Sequence, residues 1–176
     1  IVEGITEWLP ISSTGHMILV DEFMKLNVSA EFMEMFLVVI QLGAILAVVV
    51  LYFPKLWPFC SPADGWIRKD AWALWFRVLV AVLPAAAIGI PFDDVLDELF
   101  YNPWTVAVTL IVYGILFIIV ENHNRGKKPR INSLNDITWS LAIGIGIFQI
   151  LALIPGTSRS GSTILGGILL GASRSV

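Results

Sequence analysis

Ile154-Pro155-Gly156-Thr157-Ser158-Arg159-Ser160-Gly161-Ser162-Thr163 is a polar turn set in apolar sequence, with the run 137–154 before it and 164–172 after it. Lipid satisfies no backbone hydrogen-bonding group, so such a turn must be buried in protein or line a cavity. The same pattern occurs near the start of the chain, in Leu9-Pro10-Ile11-Ser12-Ser13-Thr14-Gly15-His16. Aligning Pro10 on Pro155 lays Ser12 on Thr157 and Ser13 on Ser158. Two such turns predict two interrupted helices meeting around one polar ligand.

The sequence around the turns sets the class. Of 176 residues, 57% are hydrophobic and 14% charged, with a mean hydropathy of +0.82, far from an ordinary soluble domain. The expected fold is all-α: a polytopic membrane protein with re-entrant helix hairpins and an inverted-topology repeat. The net charge of −3 discriminates little, because in such a protein the position of each charge matters more than the sum. Cys60 stands alone, which excludes an internal disulfide or a cysteine metal cluster. Ile1 is followed by neither a basic region nor a small-residue cleavage site, so no signal peptide is expected. The chain reads as a fragment cut at both ends.

Four apolar runs, 32–53, 71–92, 104–120 and 137–154, approach the roughly 20 residues that a spanning helix needs. Pro84 is expected to kink the second, and Gly114 and the Gly144/Gly146 pair permit close helix contacts. Basic residues crowd the connections 54–70 and 122–136, whereas the loop expected at 93–102 holds Asp93, Asp94, Asp97 and Glu98 and no base. The basic connections are therefore expected in the cytoplasm, with 93–102 and 21–31 outside. Three spans separate the turns, so their hairpins would enter from opposite faces and bring both tips toward the midplane. The organisation expected is one incomplete transmembrane domain, 1–176. A first repeat, 1–121, carries its re-entrant motif at 3–16; the second starts at 137–176 with its motif at 155–163. A simple crossing by 137–154 is the alternative.

Glu3 and Glu7 are spaced i,i+4 and share a helix face. Ionisable groups at membrane depth are costly and are functional candidates; an interfacial, solvated Glu3 is the plainer reading. Ser13 and His16 are three apart and would be neighbours on a helix beginning near Ser12, the minimum nucleophile–base arrangement. A helix cap by Ser12 or Ser13, with His16 at an interface, would explain the same residues. Arg159 is a permanent cation whose planar fork suits phosphate oxygens. Ser158, Ser160, Ser162 and Thr163 supply hydroxyls, and Gly156 and Gly161 let backbone amides approach an anion. A cytoplasmic basic residue is the competing view of Arg159. Ionised Glu3 and Glu7 would repel a phosphate, a conflict removed by a divalent cation or by a raised carboxyl pKa. Oxygen ligands of this kind suit Mg²⁺ or Ca²⁺ rather than zinc.

The runs Glu3-Gly4-Ile5-Thr6-Glu7-Trp8-Leu9-Pro10-Ile11-Ser12-Ser13-Thr14-Gly15-His16 and Pro155-Gly156-Thr157-Ser158-Arg159-Ser160-Gly161 resemble the two signature motifs of bacterial undecaprenyl-diphosphate phosphatases of the bacitracin-resistance type. Ile40-Gln41-Leu42-Gly43-Ala44-Ile45-Leu46-Ala47-Val48 is also similar to that family, and Thr157 stands where some members carry an aromatic residue. The resemblance covers essentially the whole chain and implies longer members, so the C-terminal third would be missing. It implies a multi-pass enzyme of the bacterial plasma membrane, with re-entrant helices, an inverted repeat and a site opening to the outer face. The implied reaction is hydrolysis of undecaprenyl diphosphate to undecaprenyl phosphate and inorganic phosphate, which recycles the carrier for peptidoglycan synthesis and confers bacitracin resistance.

On this reading Glu7, Ser13, His16 and Arg159 are the catalytic candidates. Ser13 would be the nucleophile, with His16 or an activated water as rival attackers; His16 would otherwise serve as general base, acid or phosphate ligand. Ser12, Thr14, Ser158, Ser160 and Gly161 would bind substrate, Glu3 and Glu7 would hold the cation or position a proton, and Gln41 would support the site or join two helices. The expected partners are a polyprenyl diphosphate lipid, the bilayer and, as an open alternative, a second copy of the chain; no nucleic-acid motif is present. A non-hydrolytic transporter or flippase of a polyprenyl phosphate is the rival function. It shares the architecture but leaves the combination of Glu7, Ser13 and His16 without a task.

Overall fold

The computed structural model describes residues 1–59 and 66–176, so Cys60 and the middle of the 54–70 connection lie outside the described residues. Seven α-helices follow one another among the described residues: α1 (Val2–Thr6), α2 (Ser13–Phe23), α3 (Ala30–Leu56), α4 (Lys69–Phe100), α5 (Pro103–Asn124), α6 (Trp139–Gln149) and α7 (Arg159–Leu169). Five of them open on a polar side chain that accepts an otherwise orphaned backbone N–H. The Gly15 amide donates to Ser12, Phe32 to Ser29, Thr105 to Asn102, Leu141 to Thr138 and Gly161 to Ser158. Short polar side chains thus mark where the greasy runs begin to coil.

Among the described residues, α3, α4 and α5 are long and apolar enough to cross a membrane. Their most apolar windows are only 0%, 6% and 17% buried, whereas Glu3, Thr6, Ser13, Thr157, Ser158 and Ser162 are buried. Apolar outside and polar inside is the arrangement that lipid, as solvent, selects. The protein is an all-α membrane protein.

One expectation changes. α4 runs through Pro84 and Pro91 and ends only at Phe100, so the acidic stretch 93–98 is helical and not a loop. Once a long helix exists, each further residue adds a hydrogen bond without a new nucleation cost. The run 71–92 also contains Arg77, whose Nε is buried with no hydrogen-bond partner among the described residues.

The fourth apolar run divides. α6 has 11 residues, about 16 Å of helix against a hydrocarbon core of about 30 Å, and is followed by a 3-10 turn at Ile150–Leu153. α7 then returns antiparallel to α6, with Leu170 over Gly144 and Phe148 over Gly166. The amides of Arg130 and Ile131 donate to the Gly171 carbonyl at 2.8 and 3.1 Å, and the Ser173 amide donates to Ile131 at 2.8 Å. Both ends of this hairpin are therefore tied to one connection, and the polar turn is its tip. α6 runs parallel to α4, packing Gly146 on Ala81 and Leu153 on Gly89. α1 and α2 form a smaller hairpin around the first turn. α5 touches both α2 and α7, and Tyr113, Val120 and Leu165 form a buried cluster along its contact with α7.

Candidate active site

Glycines let the two turns touch. A Cβ on Gly15 would stand 3.1 Å from Gly156 Cα and 3.3 Å from Val106 Cγ1, and one on Gly161 would stand 3.0 Å from the Pro10 carbonyl oxygen. Gly156 has φ +88°, and a Cβ there would collide with Thr109 Oγ1 and lie 2.8 Å from the Val106 carbonyl. Gly156→Ala is expected to destabilise by more than about 1 kcal/mol, lowering the thermal midpoint by roughly 3 °C or more. A midpoint equal to wild type would contradict this packing.

Between the turns lies a cleft of about 540 Å³. Glu7, Ser12, Ser13 and Thr14 line it from one turn and residues 155–160 from the other, with Gln41, Asp97 and Gln149 from the surrounding helices. Ser13 is buried, and its hydroxyl donates to Glu7 Oε2. The serine expected to face His16 therefore pairs with a carboxylate. His16 is not among the residues lining the cleft. Its Nδ1 lies 2.8 Å from the Ser12 carbonyl; a carbonyl only accepts, so Nδ1 is the donor of this bond. Ser12 has φ +65°, a left-handed conformation that costs a non-glycine residue about 1–3 kcal/mol. Glu3 is buried a turn before Glu7.

The second turn presents a helix start. The Gly161 amide is taken by the Ser158 side chain at 3.1 Å, which leaves the Arg159 and Ser160 amides without intrahelical partners. Ser158 Oγ lies 3.1 Å from Ser160 Oγ. Ser162 was expected among the hydroxyls for an anion, but it is fully buried and turned toward α5. It donates to the Ser158 carbonyl at 2.9 Å, with Tyr113 Oη 2.6 Å away. Thr163 turns its hydroxyl back on the Ser160 carbonyl at 2.9 Å. Arg159 lines the cleft and an adjoining cavity that Asp93 also lines. Its guanidinium makes no hydrogen bond or ion pair with any described residue.

A second, apolar groove of about 830 Å³ runs between the first hairpin and α3, lined by Met17, Ile18, Met33, Phe36, Ile40 and Ala44. Successive α3 positions serve the two spaces: Ile40 and Ala44 face the groove, Gln41 and Ile45 the cleft. Glu3 lines the groove and Glu7 the cleft. Thr109, Tyr113, Gln149 and Asp97 were not singled out from sequence. The usable signal was polarity inside apolar runs for Thr109, Tyr113 and Gln149; Asp97 lay in a stretch taken for a loop.

The sequence profile described as "Bacitracin resistance protein BacA" matches residues 1–176. The protein named undecaprenyl-diphosphatase of Lachnoclostridium phytofermentans is 64% identical over 176 residues, covering 100% of this chain and 64% of that protein. Proteins of the same name from Acetivibrio thermocellus and Enterococcus faecalis are each 65% identical over 176 residues and are covered over 65% and 64% of their lengths. The chain thus spans about 64% of the length of the curated relatives it matches. Two motif turns in contact around a polar cleft, and a profile match from the first residue to the last, place the chain in the BacA bacitracin-resistance family.

Proposed function

We propose that the whole protein hydrolyses undecaprenyl diphosphate to undecaprenyl phosphate and inorganic phosphate, with the cleft between the turns as its active site. The observation that carries this reading is the Ser13–Glu7 pair on one wall of the cleft and Arg159 with the start of α7 on the other. A pure anion carrier has no need of a hydroxyl poised on a carboxylate. The names of the relatives support the substrate.

In this mechanism Glu7 accepts the Ser13 proton as Ser13 Oγ attacks the terminal phosphorus. The Ser13 Oγ–P bond forms and the bridging P–O bond breaks, so the lipid monophosphate leaves with that bond's electron pair and takes the proton from Glu7, which is again a carboxylate. Water then displaces serine from phosphorus, giving one proton to Ser13 and releasing inorganic phosphate. Arg159, the Arg159 and Ser160 amides and the Ser158 and Ser160 hydroxyls take the charge on the non-bridging oxygens, the main demand of phosphoryl transfer. Ser12 and Thr14 contribute from the first turn. His16 acts through Ser12, holding its carbonyl and the strained turn around it.

The chemistry of the donor set fits a divalent cation. Among the described residues no three His, Cys, Asp or Glu gather; a cation would be held by Glu7 in the cleft, with Glu3 a turn away, phosphate oxygens and water, a set suited to Mg²⁺ or Ca²⁺. Bound there, the cation would offset the carboxylates and polarise a phosphoryl oxygen. The apolar groove beside the cleft supports a prenyl chain lying along α3 while its head group reaches Ser13. The short hairpins, both meeting α5, support re-entrant segments of an inverted repeat. The basic connections favour a cleft open to the outer face.

The test is phosphate release by the purified whole protein from undecaprenyl or farnesyl diphosphate, with and without chelator. Release that falls with chelator and returns with Mg²⁺ or Ca²⁺ is expected. No release, together with movement of labelled lipid between leaflets, would favour transport.

A further inference from the structure

Thr109 and Tyr113 stand one helical turn apart on α5, inside a span otherwise rich in Val, Ile and Leu. Thr109 Oγ1 lies 2.9 Å from the Thr105 and Val106 carbonyls of its own helix and 2.8 Å from the Pro155 carbonyl. One hydroxyl proton cannot serve all three. The helix already bonds the first two carbonyls, whereas Pro155 has no other donor among the described residues. On the far side of the turn, Tyr113 meets Ser162, which donates to the Ser158 carbonyl. The segment 155–158, immediately before Arg159, is strung between two anchors on one helix. Val106, one turn before Thr109 and fully buried, packs against Gly15 of the first turn.

We propose that α5 is the common post that sets the two turns in register, with Thr109 and Tyr113 as positioning residues acting on Arg159 through Pro155 and Ser158. The proposal deepens the phosphatase reading and rests on it only for the identity of the anion. A shift of about 1 Å in a positioning group can cost roughly 10²-fold in rate, so a single hydrogen bond at this place carries functional weight.

The experiment compares Thr109→Val, Thr109→Ser and Tyr113→Phe in the whole protein, reading phosphate release and binding of a non-hydrolysable farnesyl bisphosphonate. Thr109→Val keeps the shape and removes the donor. It is expected to lower kcat/KM about tenfold and to weaken analogue binding, with a fall of a few degrees in thermal midpoint because the Pro155 carbonyl loses its donor. Thr109→Ser keeps the hydroxyl and is expected within about twofold of wild type. Tyr113→Phe leaves the Ser162–Ser158 bond and is expected to cost about threefold. In an Arg159→Lys background, Thr109→Val is expected to add less than about twofold, because coupled residues are not additive.

Thr109→Val equal to wild type in both readouts, Thr109→Ser no better than Thr109→Val, or full additivity with Arg159→Lys would each overturn the proposal. A wild type that binds the analogue without hydrolysing it would sink the phosphatase reading alone, and the Thr109 comparison would then stand on binding. A wild type that neither binds nor hydrolyses overturns both.

Discussion

Arg159→Ala is expected to lower kcat/KM for undecaprenyl diphosphate by roughly 10³-fold or more, the scale seen when an arginine that neutralises transferring phosphate is removed. The Arg159 guanidinium makes no hydrogen bond or ion pair with any described residue, so its loss orphans no protein group. The thermal midpoint should therefore stay near wild type while activity collapses. Arg159→Lys should recover only part of the rate, because an ammonium restores the charge without the planar fork that meets two phosphate oxygens at once. Steady-state kinetics with farnesyl diphosphate checks both variants. A loss below about tenfold would mean that the phosphate sits elsewhere.

Glu7→Gln should be nearly as damaging, lowering kcat by roughly 10²–10⁴-fold, the range for loss of a general base. A carboxamide keeps the volume, but even with its oxygen toward Ser13 it cannot take up the proton that the hydroxyl now offers to Oε2. Because the two groups act as one unit, adding Ser13→Ala to Glu7→Gln should cost little more than either change alone. Independent, multiplying losses would separate their roles and return the choice of attacker to water. Single-turnover phosphate release reads the chemical step without interference from product dissociation.

Much of this was legible in the residues. The spans followed from hydropathy because lipid enforces apolar exteriors on long helices, and the turns stood out because polar clusters there need a reason. Glu7, Ser13 and Arg159 could be named for the same reason, and all three line one cleft. The pairing inside the cleft was less readable. Spacing makes Ser13 and His16 neighbours on one helix, while the bend at Ser12 brings Glu7 onto the Ser13 hydroxyl, a contact that spacing does not encode. Ser162 looked like Ser158 or Ser160 in sequence; only its place on the α5-facing side of α7 makes it structural. Thr109 acts on a carbonyl 46 residues away, a contact that no local pattern encodes. The acidic stretch 93–98 was misassigned because charge marks the end of a bilayer span, not the end of a helix.

A structure of the whole protein trapped with vanadate and farnesol would address most directly the claim that both turns act on one phosphate. Expected is a vanadium centre bonded to Ser13 Oγ, with oxygens hydrogen-bonded to the Arg159 guanidinium and the first amides of α7. Vanadate found instead only against the basic connection at Lys127, Lys128 and Arg130, with nothing between Ser13 and Arg159, would contradict it.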